Sequence, residues 1–205
     1  MRNVTQSDSP YKASLTREQF CFYEMRTTAK LMSEGLSDEE IMSRIVRENL
    51  FQYPTEKSVR KIAQMCVSRL HSMNNKGLVT AIAEQPVDVS KQVCLYAMMK
   101  DSRLVWDFML TVVAEKYRSQ NMKLTKMDLN MFFMRLQEQD NGVAAWSEST
   151  ITKIKQILTR ILVENGYLDN NKSETLKPVL ICSTLLNAIL ADGEKAALPA
   201  FNYFR

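Results

Sequence analysis

Residues 36–73 read LSDEEIMSRIVRENLFQYPTEKSVRKIAQMCVSRLHSM, and this stretch predicts two helices joined by a short turn. Ser37 followed by Glu40 is the pattern of a capping box, in which a hydroxyl and a carboxylate each satisfy a free backbone amide at a helix start. The first helix is predicted over residues 38–49. A turn that contains a proline separates it from a second, longer helix over residues 55–73. The stretch therefore predicts a helix-turn-helix unit.

Similar start signals recur along the chain at Thr16, Thr125 and Ser147. With only five glycines and five prolines, the chain lacks the frequent turn residues of a sheet-rich fold. We therefore predict an all-α fold with many helices. The other predicted helices span residues 17–34, 78–84, 89–100, 103–118, 126–139, 148–165 and 183–191.

Residues 74–77, Asn-Asn-Lys-Gly, break the helical pattern and mark a predicted boundary between two domains. The first is an N-terminal helix-turn-helix domain over residues 1–76, and the second a C-terminal helical domain over residues 77–205. Near the end of the second, two apolar stretches flank a polar loop, a pattern compatible with a short β-hairpin near residues 167–181. Pro178 would confine its second strand to an edge. A helix followed by such a hairpin resembles a winged helix.

The helix predicted over residues 55–73 has one apolar face and one basic face. Apolar side chains recur at three- and four-residue spacing, and the opposite side is polar and basic. Lysine and arginine bind phosphates or guanine, and glutamine can pair with adenine. We therefore predict a DNA-contacting helix, although a solvated face of an ordinary amphipathic helix would have the same pattern. The predicted contact residues in this helix are Lys57, Arg60, Lys61, Gln64 and Arg69.

The distribution of charge supports this interpretation. The whole chain carries a net charge of +4. Residues 54–76 contain five basic residues and one acid, Glu56, so this single segment accounts for the same excess. A localised excess of positive charge is typical of a nucleic-acid interface.

A second basic surface is predicted on the helix over residues 148–165. Its outer side carries Lys153 and Arg160, with Lys155 near the edge. We predict that these three residues also contact DNA. If the neighbouring hairpin forms, its loop could touch the DNA backbone. The net charge of this helix is small, so an ordinary solvated face explains it better than DNA contact does.

Composition excludes most classes of enzyme. The chain has one histidine, His71, and four widely spaced cysteines, which excludes histidine-based triads and zinc clusters. It has no glycine-rich phosphate loop. We therefore predict a non-enzymatic protein without a cofactor or metal. Its longest apolar stretches are about a dozen residues, shorter than the roughly 20 needed to cross a bilayer, so we predict a cytoplasmic protein with no membrane partner.

Five short runs in the chain resemble the BrxA family of bacterial BREX (bacteriophage exclusion) defence systems, and the resemblance spans residues 11–190. It implies an all-helical fold similar to that of the RNA-binding protein NusB, an association with DNA, and other BREX proteins as partners. The runs are Glu24-Met25-Arg26, Gly35-Leu36-Ser37-x-Glu39-Glu40-Ile41, Glu48-Asn49-Leu50-Phe51-Gln52-Tyr53, Trp106-Asp107-Phe108-Met109 and Ala144-Ala145-Trp146-Ser147-x-Ser149-Thr150.

The sequence thus predicts a non-enzymatic component of a phage-defence system that binds double-stranded DNA mainly through basic side chains. Two alternatives remain open. One is a protein-interaction adaptor of the defence complex that does not bind nucleic acid. The other is an RNA-binding protein, by analogy with NusB.

Overall fold

The computed structural model describes residues 9–204, and within this range the chain is helical and contains no β-strand. The predicted all-α fold is confirmed. A π-helical segment covers Met109–Val113, and 3₁₀ segments cover Ala13–Thr16 and Lys195–Phe201. The α-helices are α1 Phe22–Ser33, α2 Asp38–Arg47, α3 Glu56–Ser72, α4 Lys76–Glu84, α5 Val87–Asp101, α6 Arg103–Phe108, α7 Ala114–Arg118, α8 Lys126–Gln139, α9 Asn141–Ala144, α10 Glu148–Glu164 and α11 Ser183–Ala191.

Local capping signals set three of the four predicted helix starts. Ser37 forms the predicted capping box: its hydroxyl accepts from the Glu40 amide (3.3 Å), and the Glu40 carboxylate accepts from the Ser37 amide (2.8 Å). Thr125 forms an equivalent box at the start of α8. The Ser147 hydroxyl accepts from the Thr150 amide at 3.2 Å and caps α10. Each start depends on residues within one turn, which a sequence pattern can capture.

The start predicted at Thr16 is wrong. Thr16 ends a 3₁₀ segment, and its hydroxyl donates to the Ala13 carbonyl oxygen at 2.9 Å. The first α-helix begins six residues later, after Cys21, whose backbone is left-handed (φ 51°). The intervening carbonyl groups of residues 18–20 accept hydrogen bonds from the side chain of Arg69, so they do not enter a helical ladder.

Helix α5 lies at the centre of the fold. Residues 93–99 of α5 are all buried, so this helix has no solvent-facing stripe over two turns. It packs against α1, α3, α4, α6 and α11. One cluster of buried apolar side chains runs from Leu15 to Phe201. Helix α4 packs closely on α1 across the boundary predicted at residues 76 and 77. The division into two domains stays a prediction.

The β-hairpin predicted near residues 167–181 is wrong. Thr175 forms an isolated antiparallel bridge with Lys123, and the flanking bonds, Leu124 N to Glu174 O and Leu176 N to Met122 O, are both 2.7 Å long. The segment therefore pairs mainly with the loop before α8. The reason is burial: Tyr167 is fully buried, and its hydroxyl donates to the Ala200 carbonyl oxygen at 3.0 Å. Without the hairpin, the described part of the chain lacks the two strands that a wing would require.

Candidate nucleic-acid interface

The turn between α2 and α3 positions the first residues of α3. Asn49 has a left-handed backbone (φ 45°), and its side-chain amide donates to the Tyr53 carbonyl oxygen (3.0 Å) and accepts from the Tyr53 amide (3.1 Å). The Tyr53 hydroxyl donates to the carboxylate of Glu24 on α1 at 2.6 Å. Burial and the neighbouring carboxylate both raise the pKa of Tyr53, so it remains a hydrogen-bond donor. Thr55 then caps α3 by accepting from the Ser58 amide at 3.3 Å.

The outer face of α3, which we define as Lys57, Arg60, Lys61 and Gln64, is exposed to solvent. The opposite side of the helix contributes to the core, with Val59, Ile62, Ala63, Cys66 and Leu70 buried. Arg60 pairs with Glu56 one turn earlier, at 2.8 Å. An exposed pair of this kind contributes only about 0.3–0.5 kcal/mol, so a phosphate could displace the glutamate at little cost.

Arg69 does not lie on this outer face, and we exclude it from the predicted DNA contacts. It is 2% exposed and donates to the carbonyl oxygens of Glu18 (2.7 Å) and Gln19 (2.7 Å). Its Nε lies 3.7 Å from the carboxylate of Asp101. A signal for this burial exists in the sequence: Arg69 follows Ile62 by seven residues, two helical turns, and so belongs to the apolar face.

The second predicted surface, on α10, is only partly available. Lys153 and Arg160 are exposed. Lys155 is half-buried: its Nζ donates to the side chain of Asn130 on α8 (2.8 Å) and lies 5.4 Å from the centre of the Phe133 ring. Burial lowers the pKa of Lys155. A phosphate contact by Lys155 would require breaking its contacts with α8, so this residue serves mainly to join α10 to α8.

The segment before α1 connects α3 to α10. Gln19 accepts from Arg69 of α3 at its backbone oxygen (2.7 Å) and from Arg160 of α10 at its side-chain oxygen (3.0 Å). Two helices that lie ninety residues apart in sequence are thus held against the same residue. This arrangement restricts the relative movement of α3 and α10. Because the side-chain amide of Gln19 is neutral, its contact with Arg160 does not compensate the positive charge of the arginine.

Charges beside the outer face of α3 differ between its two flanks. On one flank, Lys12 and Arg103 line a cavity together with Lys61. On the other, Asp38 and Glu39 from the first turn of α2 line a more open groove with Arg47, Arg60 and Gln64, so two acids balance two arginines there. Sequence reasoning missed Lys12 and Arg103, because no local pattern connects residues that are about fifty and forty positions from Lys61.

The remaining reactive side chains form no recognisable catalytic arrangement in the described part of the chain. Cys66 and Cys94 are buried among apolar groups, and burial raises the pKa of each thiol, to about 12 for Cys94. His71 contacts the carboxylate of Asp38 at 2.9 Å on the surface. Within residues 9–204, no group of three or more histidine, cysteine, aspartate or glutamate side chains is placed to hold a metal ion.

Comparison with known proteins assigns the family. The family model for BrxA matches residues 9–193, most of the chain. The chain belongs to the BrxA family. The resemblance noted in the sequence is therefore confirmed.

Among the helices of residues 9–204, none has both the length and the apolar character needed to cross a membrane.

Three BrxA relatives carry the name BREX protein BrxA. The one from Bacillus cereus (strain H3081.97) is 35% identical over 172 residues, which cover 83% of this chain and 86% of that protein. The one from Paramagnetospirillum magneticum (strain ATCC 700264 / AMB-1) is 25% identical, covering 90% of this chain and 92% of that protein. The one from Escherichia coli O9:H4 (strain HS) is 27% identical over 77% of this chain and 74% of that protein.

A solved structure shares the fold. The crystal structure of an uncharacterized protein from Magnetospirillum magneticum has a TM-score of 0.82 and 24% identity, covering 94% of this chain and 98% of that one. The shared fold therefore extends along nearly the whole chain. The likeness to NusB and the helix-turn-helix arrangement of α2 and α3 stay predictions.

Proposed function

We propose that this BrxA-family chain is a non-enzymatic component of a BREX phage-defence system that binds double-stranded DNA through the outer face of α3. The observation that carries the proposal is the outer face itself: three cations and a glutamine, all exposed, on a helix whose other side is buried. Lys57, Arg60 and Lys61 would contact phosphates, and Gln64 could contact a base edge.

The surface charge of this segment supports the proposal even after Arg69 is removed from it. Of the five basic residues in 54–76, Lys57, Arg60, Lys61 and Lys76 are exposed, and Glu56 is the single acid. The segment therefore presents a net charge of +3 to solvent. On α10, Lys153 and Arg160 add two exposed cations. A concentration of positive charge of this kind favours a polyanion over an uncharged partner.

The alternative function is a protein-interaction adaptor that joins other BREX proteins and does not bind nucleic acid. The three exposed methionines of α8 favour this candidate: Met127, Met131 and Met134 recur at four- and three-residue spacing and are 64%, 43% and 58% exposed. Methionine is frequent at adaptable protein-binding surfaces.

A binding titration separates the candidates. The full chain is titrated with a labelled duplex of about 20 base pairs at two salt concentrations, and structured RNA of the same length then competes for the bound protein. Our proposal requires duplex binding that weakens with salt and is displaced better by duplex DNA than by RNA. Preferential displacement by RNA would instead identify an RNA-binding protein. Absence of binding to either at low salt would leave the adaptor.

A further inference from the structure

A cavity of about 710 Å³ opens beside the outer face of α3. Its walls are the segment that precedes α1, one side of α3, and the junction of α5 and α6. Cavities that hold small ligands commonly have volumes of about 300–1,000 Å³, so this one has room for a molecule the size of a nucleotide. Lys61 and Gln64 line the cavity and also belong to the outer face of α3.

The charged side chains of the cavity leave an excess of positive charge. Five cations and three carboxylates line it, a difference of two charges. Two of the carboxylates are already paired: Glu194 lies 2.6 Å from Lys100, and Asp101 accepts from the Ser68 hydroxyl at 2.8 Å beside the buried Arg69. In these two pairs the positive and negative charges compensate each other within the lining. The excess of positive charge in the lining therefore comes from its other cations.

Three cations lie outside those wall pairs. Lys12 and Lys61 are on different walls, and Arg103 is held in place because its Nε donates to Asp107 at 2.8 Å. The Tyr11 hydroxyl donates to the same carboxylate at 2.7 Å, which fixes Asp107 and hence the guanidinium. Glu18 is the remaining carboxylate on the walls. Glu18 and Asp107 thus face three cations, which leaves one positive charge in excess. Arg103 uses one of its five N–H donors on Asp107, so its other donors and the two lysines are suited to an anion such as a phosphate group.

An aromatic side chain also lines the cavity. Trp106, which is half-buried, lines it together with Leu15 and Met99. An indole ring can stack on a nucleobase, a contact that contributes about 1–3 kcal/mol per base. Gln64 and Ser102 add groups that can hydrogen-bond to a base edge or a ribose hydroxyl. A bare phosphate would use only the cations, whereas a nucleotide would also use Trp106.

We propose that this cavity binds a single nucleotide, with its base against Trp106 and its phosphates between Lys12, Lys61 and Arg103. The nucleotide could be free or could be an unpaired nucleotide at the end of a DNA strand, since both present the same base and phosphate chemistry. The site does not depend on duplex binding by the outer face of α3.

Calorimetric titration of the full chain with ATP, with AMP and with inorganic triphosphate tests the proposal. We expect ATP to bind more tightly than AMP, because it carries more phosphate charge, and more tightly than triphosphate, because it also stacks. Lys12→Ala and Arg103→Ala should each weaken ATP binding about tenfold. Trp106→Leu should weaken ATP and AMP but not triphosphate, and Trp106→Phe should partly restore both. Lys126→Ala, which removes an exposed lysine of α8, is the control and should bind ATP as the wild type does.

No measurable binding of ATP or of a DNA end would overturn the proposal, and so would ATP binding that is unchanged in both Lys12→Ala and Arg103→Ala. Equal affinity for triphosphate and ATP would likewise exclude a base-binding site. Thermal unfolding of each variant, followed by circular dichroism, separates loss of the site from loss of the fold.

A pair of duplexes, one blunt and one with a short single-stranded overhang, distinguishes the two sources. Tighter binding of the overhang that disappears in Lys12→Ala and Arg103→Ala would identify a DNA end as the ligand. ATP binding without any preference for the overhang would identify a free nucleotide. Lys57→Ala alters only the outer face of α3, so ATP binding should be unchanged in it. Retained ATP binding in a chain that does not bind duplex DNA would refute the proposed function and leave the cavity site intact.

Discussion

Removal of the three cations on the outer face of α3 should change how strongly DNA binding depends on salt. The variant carries the triple substitution Lys57→Ala, Arg60→Ala and Lys61→Ala. All three side chains are exposed, and the ion pair of Arg60 with Glu56 is a weak surface contact, so the helix should remain folded. Alanine also has a high helix propensity, which favours retention of α3.

The size of the effect follows from the number of phosphates that these cations neutralise. Each phosphate neutralised by a lysine or arginine contributes about 0.9 to the slope of log K against log salt concentration, because one condensed counterion is released. Three fewer neutralised phosphates should therefore reduce the slope by about 2.7. A fourfold rise in salt would then weaken binding by the wild type about fortyfold more than binding by the variant.

Fluorescence anisotropy of a labelled duplex, measured over a series of salt concentrations, provides the slope. The matched control is a second triple variant that removes the same charge from exposed lysines elsewhere: Lys126→Ala, Lys172→Ala and Lys195→Ala. An unchanged slope in the α3 variant would refute the assignment of the outer face. Equal reductions of the slope in the two variants would show that DNA binding depends only on the net charge of the protein.

Three further predictions concern the framework that supports this face. Arg69→Met should lower the free energy of unfolding by about 3–5 kcal/mol, because it leaves buried carbonyl groups and Asp101 without their partner. Below its lowered melting temperature, the variant should bind duplex DNA as the wild type does. A reduced dependence of DNA binding on salt in this variant would show that Arg69 contacts DNA after all. Ser37→Ala should cost about 1 kcal/mol through loss of the α2 cap, measured by urea unfolding; a cost near zero would show that the cap contributes nothing. Burial raises the pKa of Asp128, but hydrogen bonds from Lys116 and the α8 cap outweigh it and lower that pKa overall, so Asp128→Asn should destabilise the protein at neutral pH. Because the pKa of Asp128 is lowered in the folded state, the ionised carboxylate stabilises the protein above its unfolded-state pKa of about 3.9, and this contribution is lost as the pH falls below that value. The free energies of unfolding of the wild type and Asp128→Asn, measured as a function of pH, should therefore converge in acid. A difference that stays constant with pH would contradict this.

The helical fold class and most helix positions could be predicted from the sequence alone. Capping by Ser37, Thr125 and Ser147 involves residues within one turn, and helical periodicity is a property of neighbouring residues, so both can be recognised without a structure. The same periodicity predicted that the outer face of α3 points away from the core. The periodicity also indicated that Arg69 is buried, since Arg69 shares a face with Ile62. Arg69 was nevertheless predicted to contact DNA because its side chain is positively charged.

The meeting of distant segments, in contrast, depends on tertiary contacts. The guanidinium of Arg69 binds carbonyl groups about fifty residues away, and this contact replaces the helix predicted from Thr16 with an irregular segment that continues to Cys21. Burial of Tyr167 against the C-terminal segment replaces the predicted hairpin. The cavity beside α3 combines residues from four separate parts of the chain. Such contacts gain their free energy from burial and hydrogen bonds between remote residues, and a local pattern carries no record of which remote residues will be adjacent.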